Sequence, residues 1–142
     1  MKYLFDTDHA SFLQGASGTE YERIVARLNQ LDDDDTAISI VSLHEQALGC
    51  HKRINRAKRV EDLVAGYDLL TKVLNAYCLA TILEYDRAAA EMFAGLRQQK
   101  VRIGTMDLRI ASIALVNGLV VVTRNSRDYS QVPGLAIEDW TT

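Results

Sequence analysis

Lys2-Tyr3-Leu4-Phe5-Asp6-Thr7-Asp8 opens the chain with a short apolar run that ends abruptly on acids. Too short for a helix and rich in aromatic and branched residues, it reads as a strand at residues 2–5. The same pattern recurs at residues 37–41, 79–83, 119–122 and, more weakly, 135–137, and each is predicted to be a strand. Helical periods lie between them. Thr19-Glu20-Tyr21-Glu22 has the form of a capping box opening a helix to about residue 31, with Tyr21, Ile24, Val25 and Leu28 on one face. Residues 60–77 repeat the period through Leu63, Val64, Tyr67, Leu70, Val73 and Leu74. Asp86 is placed to cap a helix running to about residue 99, and another starts at Thr105 or Met106 and stops at Asn117-Gly118. Strands alternating with helices imply βαβ units, hence an α/β fold with a mostly parallel central sheet of four to five strands and helices on both faces.

The bulk properties fit one such domain over residues 1–142. At 142 residues, 48% hydrophobic and 25% charged, the chain has the size and composition of one globular unit with one core. Its single proline, Pro133, and the absence of Gly/Ser-rich stretches leave no linker. Asp32-Asp33-Asp34-Asp35 marks a solvated loop between a helix and a strand, because adjacent like charges repel in compact structure. The N-terminal apolar run is too short for a signal-peptide core. The apolar stretch at 110–122 is too short to span a bilayer, which needs ~20 residues. Cys50 and Cys78 have no zinc-site spacing and read as reduced thiols, so the expected location is the cytoplasm. A net charge of -3 offers no general attraction to a polyanion, so any nucleic-acid contact must be local.

In an open parallel sheet, ligands bind beyond the carboxyl ends of the strands where the strand order reverses. Asp6 ends the first predicted strand, Glu45 lies about one helical turn past the second, Asp107 opens a helix, and Asp128 follows Val120-Val121-Val122-Thr123 after a short loop. Four acids distant in sequence are thereby brought to one edge. Carboxylates gathered without cations repel, so the cluster calls for a metal or for protons. Mg2+ (or Mn2+) suits an all-oxygen donor set and can activate water against a phosphodiester. His9, His44 and His51 lack zinc spacing. Each acid also has a structural role open to it: Asp6 or Asp8 as a helix cap near His9, Glu45 in a capping box with Ser42, Asp107 against a helix dipole, Asp128 in a turn.

Taken together, four blocks resemble the PIN-domain ribonucleases, in particular the VapC toxins of toxin–antitoxin pairs. They are Tyr3-Leu4-Phe5-Asp6-Thr7-Asp8; Ile40-Val41-Ser42-Leu43-His44-Glu45 with Gly49; Ile103-Gly104-Thr105-Met106-Asp107 through Ile110-Ala111; and Thr123-Arg124-Asn125-Ser126-Arg127-Asp128-Tyr129 through Val132-Pro133-Gly134-Leu135 to Glu138-Asp139-Trp140. The resemblance spans nearly the whole chain. It implies a PIN-like fold, with Asp6, Glu45 and Asp107 as metal-site acids and Asp128 in a more variable fourth place. Thr123 and Asn125 match a polar pair that orients the acids or the attacking water, and Thr7 would sit behind Asp6. The implied activity is metal-dependent endonucleolytic cleavage of RNA, with a small antitoxin as partner and a homodimer as the common assembly. Asp8 stands where many members have Asn, and His44 is an unusual neighbour for Glu45, so both are candidates for an added acid or base.

Lys52, Arg53, Arg56, Lys58 and Arg59 place a cluster of cations after the Glu45 helix begins, suited to gripping phosphates or to solubilising a helix face. Arg109, Arg124 and Arg127 adjoin the acids and either reach substrate or pair with them. Leu70, Leu74, Tyr77, Met92, Phe93 and Leu96 are expected mostly in the core, with some surface left for a second copy or an antitoxin helix. His9 and His51 are expected at polar surface positions, and Trp140 is expected to pack on the sheet edge. Two other readings stay open. A phosphatase of the haloacid-dehalogenase type would use Asp6 and Asp8 as nucleophile and acid with Ser42 nearby, though the chain lacks a convincing lysine and late acid pair. A non-catalytic RNA-binding module, or a phospho-receiver, would use the acids only for folding.

Overall fold

The computed structural model describes residues 1–142. Alternation along three short strands divides the core in two. Leu4, Ala37 and Val121 are buried with Ala89, Leu96, Leu108, Ile110, Ala111, Ile113 and Ala114 on one side of the sheet. Phe5 and Val122 are buried with Ile24 and Trp140, and Ile38 with Ala10, Val73 and Tyr77, on the other. The elements run β1 (Tyr3–Phe5), α1 (Thr7–Gly15), α2 (Thr19–Leu28), β2 (Thr36–Ser39), α3 (Ile40–Arg56), α4 (Val60–Cys78), β3 (Ile82–Leu83), α5 (Arg87–Gln98), α6 (Thr105–Asn117), β4 (Val120–Val122), α7 (Ser126–Tyr129) and β5 (Ile137–Glu138). Helices α5 and α6 therefore cover one face, and α1, α2 and α4 the other, as the strand–helix alternation implies.

All strand pairs are parallel, in the order β3-β2-β1-β4-β5. The chain leaves β1 for β2 and β3 on one side, then returns to place β4 on the other, so the order reverses between β1 and β4. Phe5 pairs with Val122 across that seam. The residues after them, Asp6 and Thr123, therefore emerge side by side at the carboxyl edge, where the backbone N–H of Asp6 donates to the Val122 carbonyl at 3.0 Å.

The strands are shorter than their apolar runs. The run at 37–41 crosses an element boundary: β2 ends at Ser39, whose side chain accepts from the Ser42 N–H and caps α3, so Ile40 and Val41 begin a helix. Leu79 in the run at 79–83 terminates α4 and lies 92% exposed, leaving only Ile82 and Leu83 in β3. Thr19 does not cap α2; Gly18 occupies the cap position without a side-chain bond, and the helix stops at Leu28 rather than near residue 31. Asp86 caps α5 through Ala89 N–H, and Gly118 ends α6 with a left-handed φ of 66°, both as the sequence indicates. The Asp32–Asp35 run forms a short 3-10 turn between α2 and β2. Trp140 is buried against Phe5 and Tyr3, its ring 5.3 and 4.9 Å from theirs, on a sheet face rather than the edge. No helix is long and apolar enough to cross a membrane.

Candidate active site

Asp6, Glu45, Asp107 and Asp128 are each held by uncharged donors. Asp6 caps α1, and its Oδ1 receives the backbone N–H of His9 at 2.9 Å and lies 3.2 Å from the His9 ring Nδ1. Its Oδ2 takes no protein hydrogen bond and is not sealed from solvent. Glu45 stands in the second turn of α3, where Oε1 accepts the Thr7 hydroxyl at 2.7 Å. Asp107, in the first turn of α6, accepts the Tyr129 hydroxyl on Oδ1 at 3.2 Å and faces the Asn125 amide across a long 3.5 Å on Oδ2. The same amide donates to Asp128 Oδ2 at 3.0 Å. Asn125 thus bridges two acids, while the buried Thr123 touches neither; its hydroxyl accepts the Asn125 N–H at 2.9 Å and fixes the turn.

The acids sense one another. Glu45 is pushed above the usual carboxylate range by burial first, partly offset by the Thr7 hydroxyl, and then by the charges of Asp107, Asp8 and Asp6. Asp107 is raised likewise by burial, offset by Tyr129, and by Asp6, Asp128 and Asp8. Tyr129, fully buried, is driven well above its ordinary value and stays a proton donor to Asp107. No lysine or arginine forms an ion pair with any of the four acids. Arg124 lies over the Phe12 ring at 5.3 Å, and Arg109 over Phe93 at 6.0 Å. No three His, Cys, Asp or Glu side chains stand close enough to enclose an ion. The oxygens at this edge belong to half-buried, mutually repelling carboxylates, a chemistry that would suit a hard cation held by one or two of them and retaining its waters.

Thr7 serves Glu45 rather than Asp6, and Ser42, read as a cap, is buried with its hydroxyl 3.2 Å from Thr7 and 3.3 Å from Ser39. Because Ser39 caps α3, Glu45 has no capping role, and Ser42, which fitted a phosphatase reading by its position after the second strand, is wholly buried. His9, expected at the surface, is wholly buried. Its spacing of three from a helix-capping Asp was a readable signal. Tyr129 stood in the sequence beside Asp128, but nothing local marked it as a partner of Asp107. Asp8 and His44 are exposed and bond to none of the four acids. Lys52, Arg53 and Arg56 line a concavity of about 430 Å3 with Gly49, Ala57 and Asp62, and only Arg59 of that cluster is ion-paired, to Asp62 at 3.3 Å. A second basic concavity of about 480 Å3, lined by Arg97, Lys100 and Arg102, adjoins the start of α6.

No family model matches the chain. It is 31% identical to the tRNA(fMet)-specific endonuclease VapC of Salmonella typhimurium over 144 aligned residues, covering 99% of this chain and 98% of the relative. The protein of the same name from Shigella flexneri is 28% identical over 99% of both chains. Among solved structures, DNA-bound VapBC from Salmonella typhimurium superposes with a TM-score of 0.78 at 30% identity, over 99% of this chain and 98% of that one. Identity at this level along the entire length, on the same five-stranded parallel sheet, means that the chain belongs to the VapC family of PIN-domain ribonucleases, the toxins of toxin–antitoxin pairs.

Proposed function

We propose that this ribonuclease is a divalent-metal-dependent endonuclease that hydrolyses RNA phosphodiesters at Asp6, Glu45, Asp107 and Asp128, with tRNA(fMet), the substrate named for its Salmonella and Shigella relatives, the first RNA to test. One observation carries the reading: at the sheet's switch-point edge Asp107 feels the charges of Asp6 and Asp128, and Glu45 those of Asp107 and Asp6, all four tethered by neutral donors with no lysine or arginine to neutralise them. A bound Mg2+ or Mn2+ ion supplies charge neutralisation at the scissile phosphate and lowers the pKa of water. The protein's share is positioning. Thr7, Tyr129 and Asn125 occupy one oxygen of Glu45, Asp107 and Asp128 in turn, which fixes the plane of each carboxylate and leaves other lone pairs to face the ligand. Lys52, Arg53 and Arg56 would hold RNA phosphates farther along α3, on the helical stripe that also carries Glu45 and Gly49.

A small antitoxin is the proposed partner, because the Salmonella relative's structure is a VapBC complex. A second copy of the chain is the proposed assembly. Val60, Val64, Tyr67 and Leu74 form an exposed apolar stripe along α4 that either contact would shield. RNA cleavage and reduced cysteines are consistent with action in the cytoplasm, and both thiols are free here.

The test is cleavage of tRNA(fMet) and unrelated RNAs by purified protein with Mg2+, with Mn2+ and with chelator, beside Asp6→Asn and Asp107→Asn variants checked for folding. Cuts that need metal, carry a 5′-phosphate and vanish in both folded variants support the reading. Cleavage that persists in chelator, or in either variant, removes the carboxylate site from the chemistry.

A further inference from the structure

We propose that His9 is a positioning residue for Asp6, locked in one tautomer by the C-terminal segment. The inference rests on Asp6 holding metal. The imidazole is completely buried between the rings of Phe5, stacked at 6.3 Å, and Phe12, edge-on at 6.5 Å. Burying a polar ring costs free energy unless both nitrogens are satisfied. Here Nε2 accepts the backbone N–H of Trp140 at 3.3 Å. Asp139 Oδ1 is 3.8 Å from that nitrogen, beyond hydrogen-bond distance, and already accepts the Thr141 N–H and hydroxyl at 2.8 and 2.6 Å. With its lone pair committed to Trp140, Nε2 carries no proton; the proton sits on Nδ1 and points at Asp6 Oδ1, 3.2 Å away.

Both of His9's donors thus meet the same oxygen: the backbone N–H and the ring N–H converge on Oδ1, and Oδ2 is left without a protein partner. Ordinary N-capping needs only the first. The second bond fixes the carboxylate plane and directs Oδ2 outward, the task that outer ligands perform at metal sites. The anchor lies far along the chain and is itself fastened, since Trp140 packs on Tyr3 and Phe5 and Arg23 Nη1 donates to the Thr141 carbonyl at 2.7 Å.

Two measurements test this. Ring 15N NMR of the wild-type protein reads the tautomer directly: Nδ1-protonated is expected, and an Nε2-protonated ring overturns the proposal. Calorimetric titration with Mn2+ alone, with kcat and RNA KM at saturating metal, is then compared for His9→Ala, His9→Gln and His9→Asn. Asparagine sets its amide N–H where Nδ1 stands, whereas glutamine reaches toward the Nε2 position. His9→Ala and His9→Gln should lose about 10–100-fold in Mn2+ affinity and kcat with little change in KM, and His9→Asn should recover most of both. Equal losses in all three variants, or a fall in Tm with Mn2+ affinity unchanged, would overturn it. Wild-type protein that binds no Mn2+ removes the metal site first, and this inference with it.

Discussion

Asp107 and Glu45 are the residues at which stability and activity are opposed. Both carry pKa values raised in the folded protein, chiefly by burial and then by neighbouring acids. A folded state that holds protons more tightly than the unfolded chain is favoured by acid. That contribution is complete below the ordinary carboxylate pKa and disappears as pH rises through the raised value, so at neutral pH both charges destabilise the metal-free protein. Glu45→Gln and Asp107→Asn should therefore raise the metal-free Tm by a few degrees at pH 7 while abolishing cleavage. The advantage should shrink as pH is lowered toward the ordinary carboxylate range, which thermal melts across pH 4–8 would check. Mg2+ should stabilise the wild type and not these variants. Tyr129 gives a subtler case. Tyr129→Phe keeps the buried ring but removes the hydroxyl at 3.2 Å from Asp107, and kcat should fall about 10-fold with RNA affinity retained.

At the scale of elements, α3 and α4 form a helical hairpin whose closest approach depends on a missing side chain. A Cβ at Gly66 of α4 would meet Ile54 Cγ1 of α3 at 2.8 Å, with the Ile54 backbone 3.6 Å away. Ile54 is branched at Cβ and cannot swing clear. Gly66→Ala gains about 1 kcal/mol in helix propensity but incurs about 1–3 kcal/mol of overpacking, so a net loss near 1 kcal/mol is expected. Denaturant unfolding measures it. Adding Ile54→Ala should reverse the sign of the Gly66→Ala effect, because the clash is then gone and only propensity remains. The same hairpin carries Glu45 near one end of α3 and Lys52, Arg53 and Arg56 near the other, so its rigidity bears on the spacing between the acids and the proposed phosphate contacts.

The whole molecule presents an electrostatic contrast. Its net charge is -3 and its candidate site is acidic, whereas the substrate proposed for it is a polyanion. Binding must therefore come from cations that are not already neutralised, and Lys52, Arg53 and Arg56 have no ion-pair partner. On the cleavage-deficient Asp6→Asn background, Arg53→Ala/Arg56→Ala should weaken RNA binding and reduce the slope of log K against log salt by about 1.4, at ~0.7 per phosphate contact on a single strand. Arg87→Ala, which removes a cation paired to Glu91 on α5, should leave the slope unchanged. A slope unaltered by the double substitution would move the RNA path away from α3.

Local chemistry made much of this protein readable from its sequence. Strand–helix alternation, the Asp86 cap, the Gly118 stop and the place of Asp6 at the end of the first strand all depend on neighbours within a few residues. The four blocks that carry the family resemblance are likewise contiguous stretches. What needed the tertiary structure was every choice between two locally acceptable partners. Ser39 and Ser42 both precede helical sequence, and Ser39 caps because pairing with β3 ends there, at Leu83. Thr7 adjoins Asp6 in sequence yet bonds Glu45, because α1 packs beside α3. His9 reads as a surface polar residue until Trp140, 131 positions later, closes over it, and Tyr129 gains a role only when α7 meets α6. Periodicity reports which face of an element is apolar; it does not report which element will cover that face, and burial, tautomer and pKa follow from the cover.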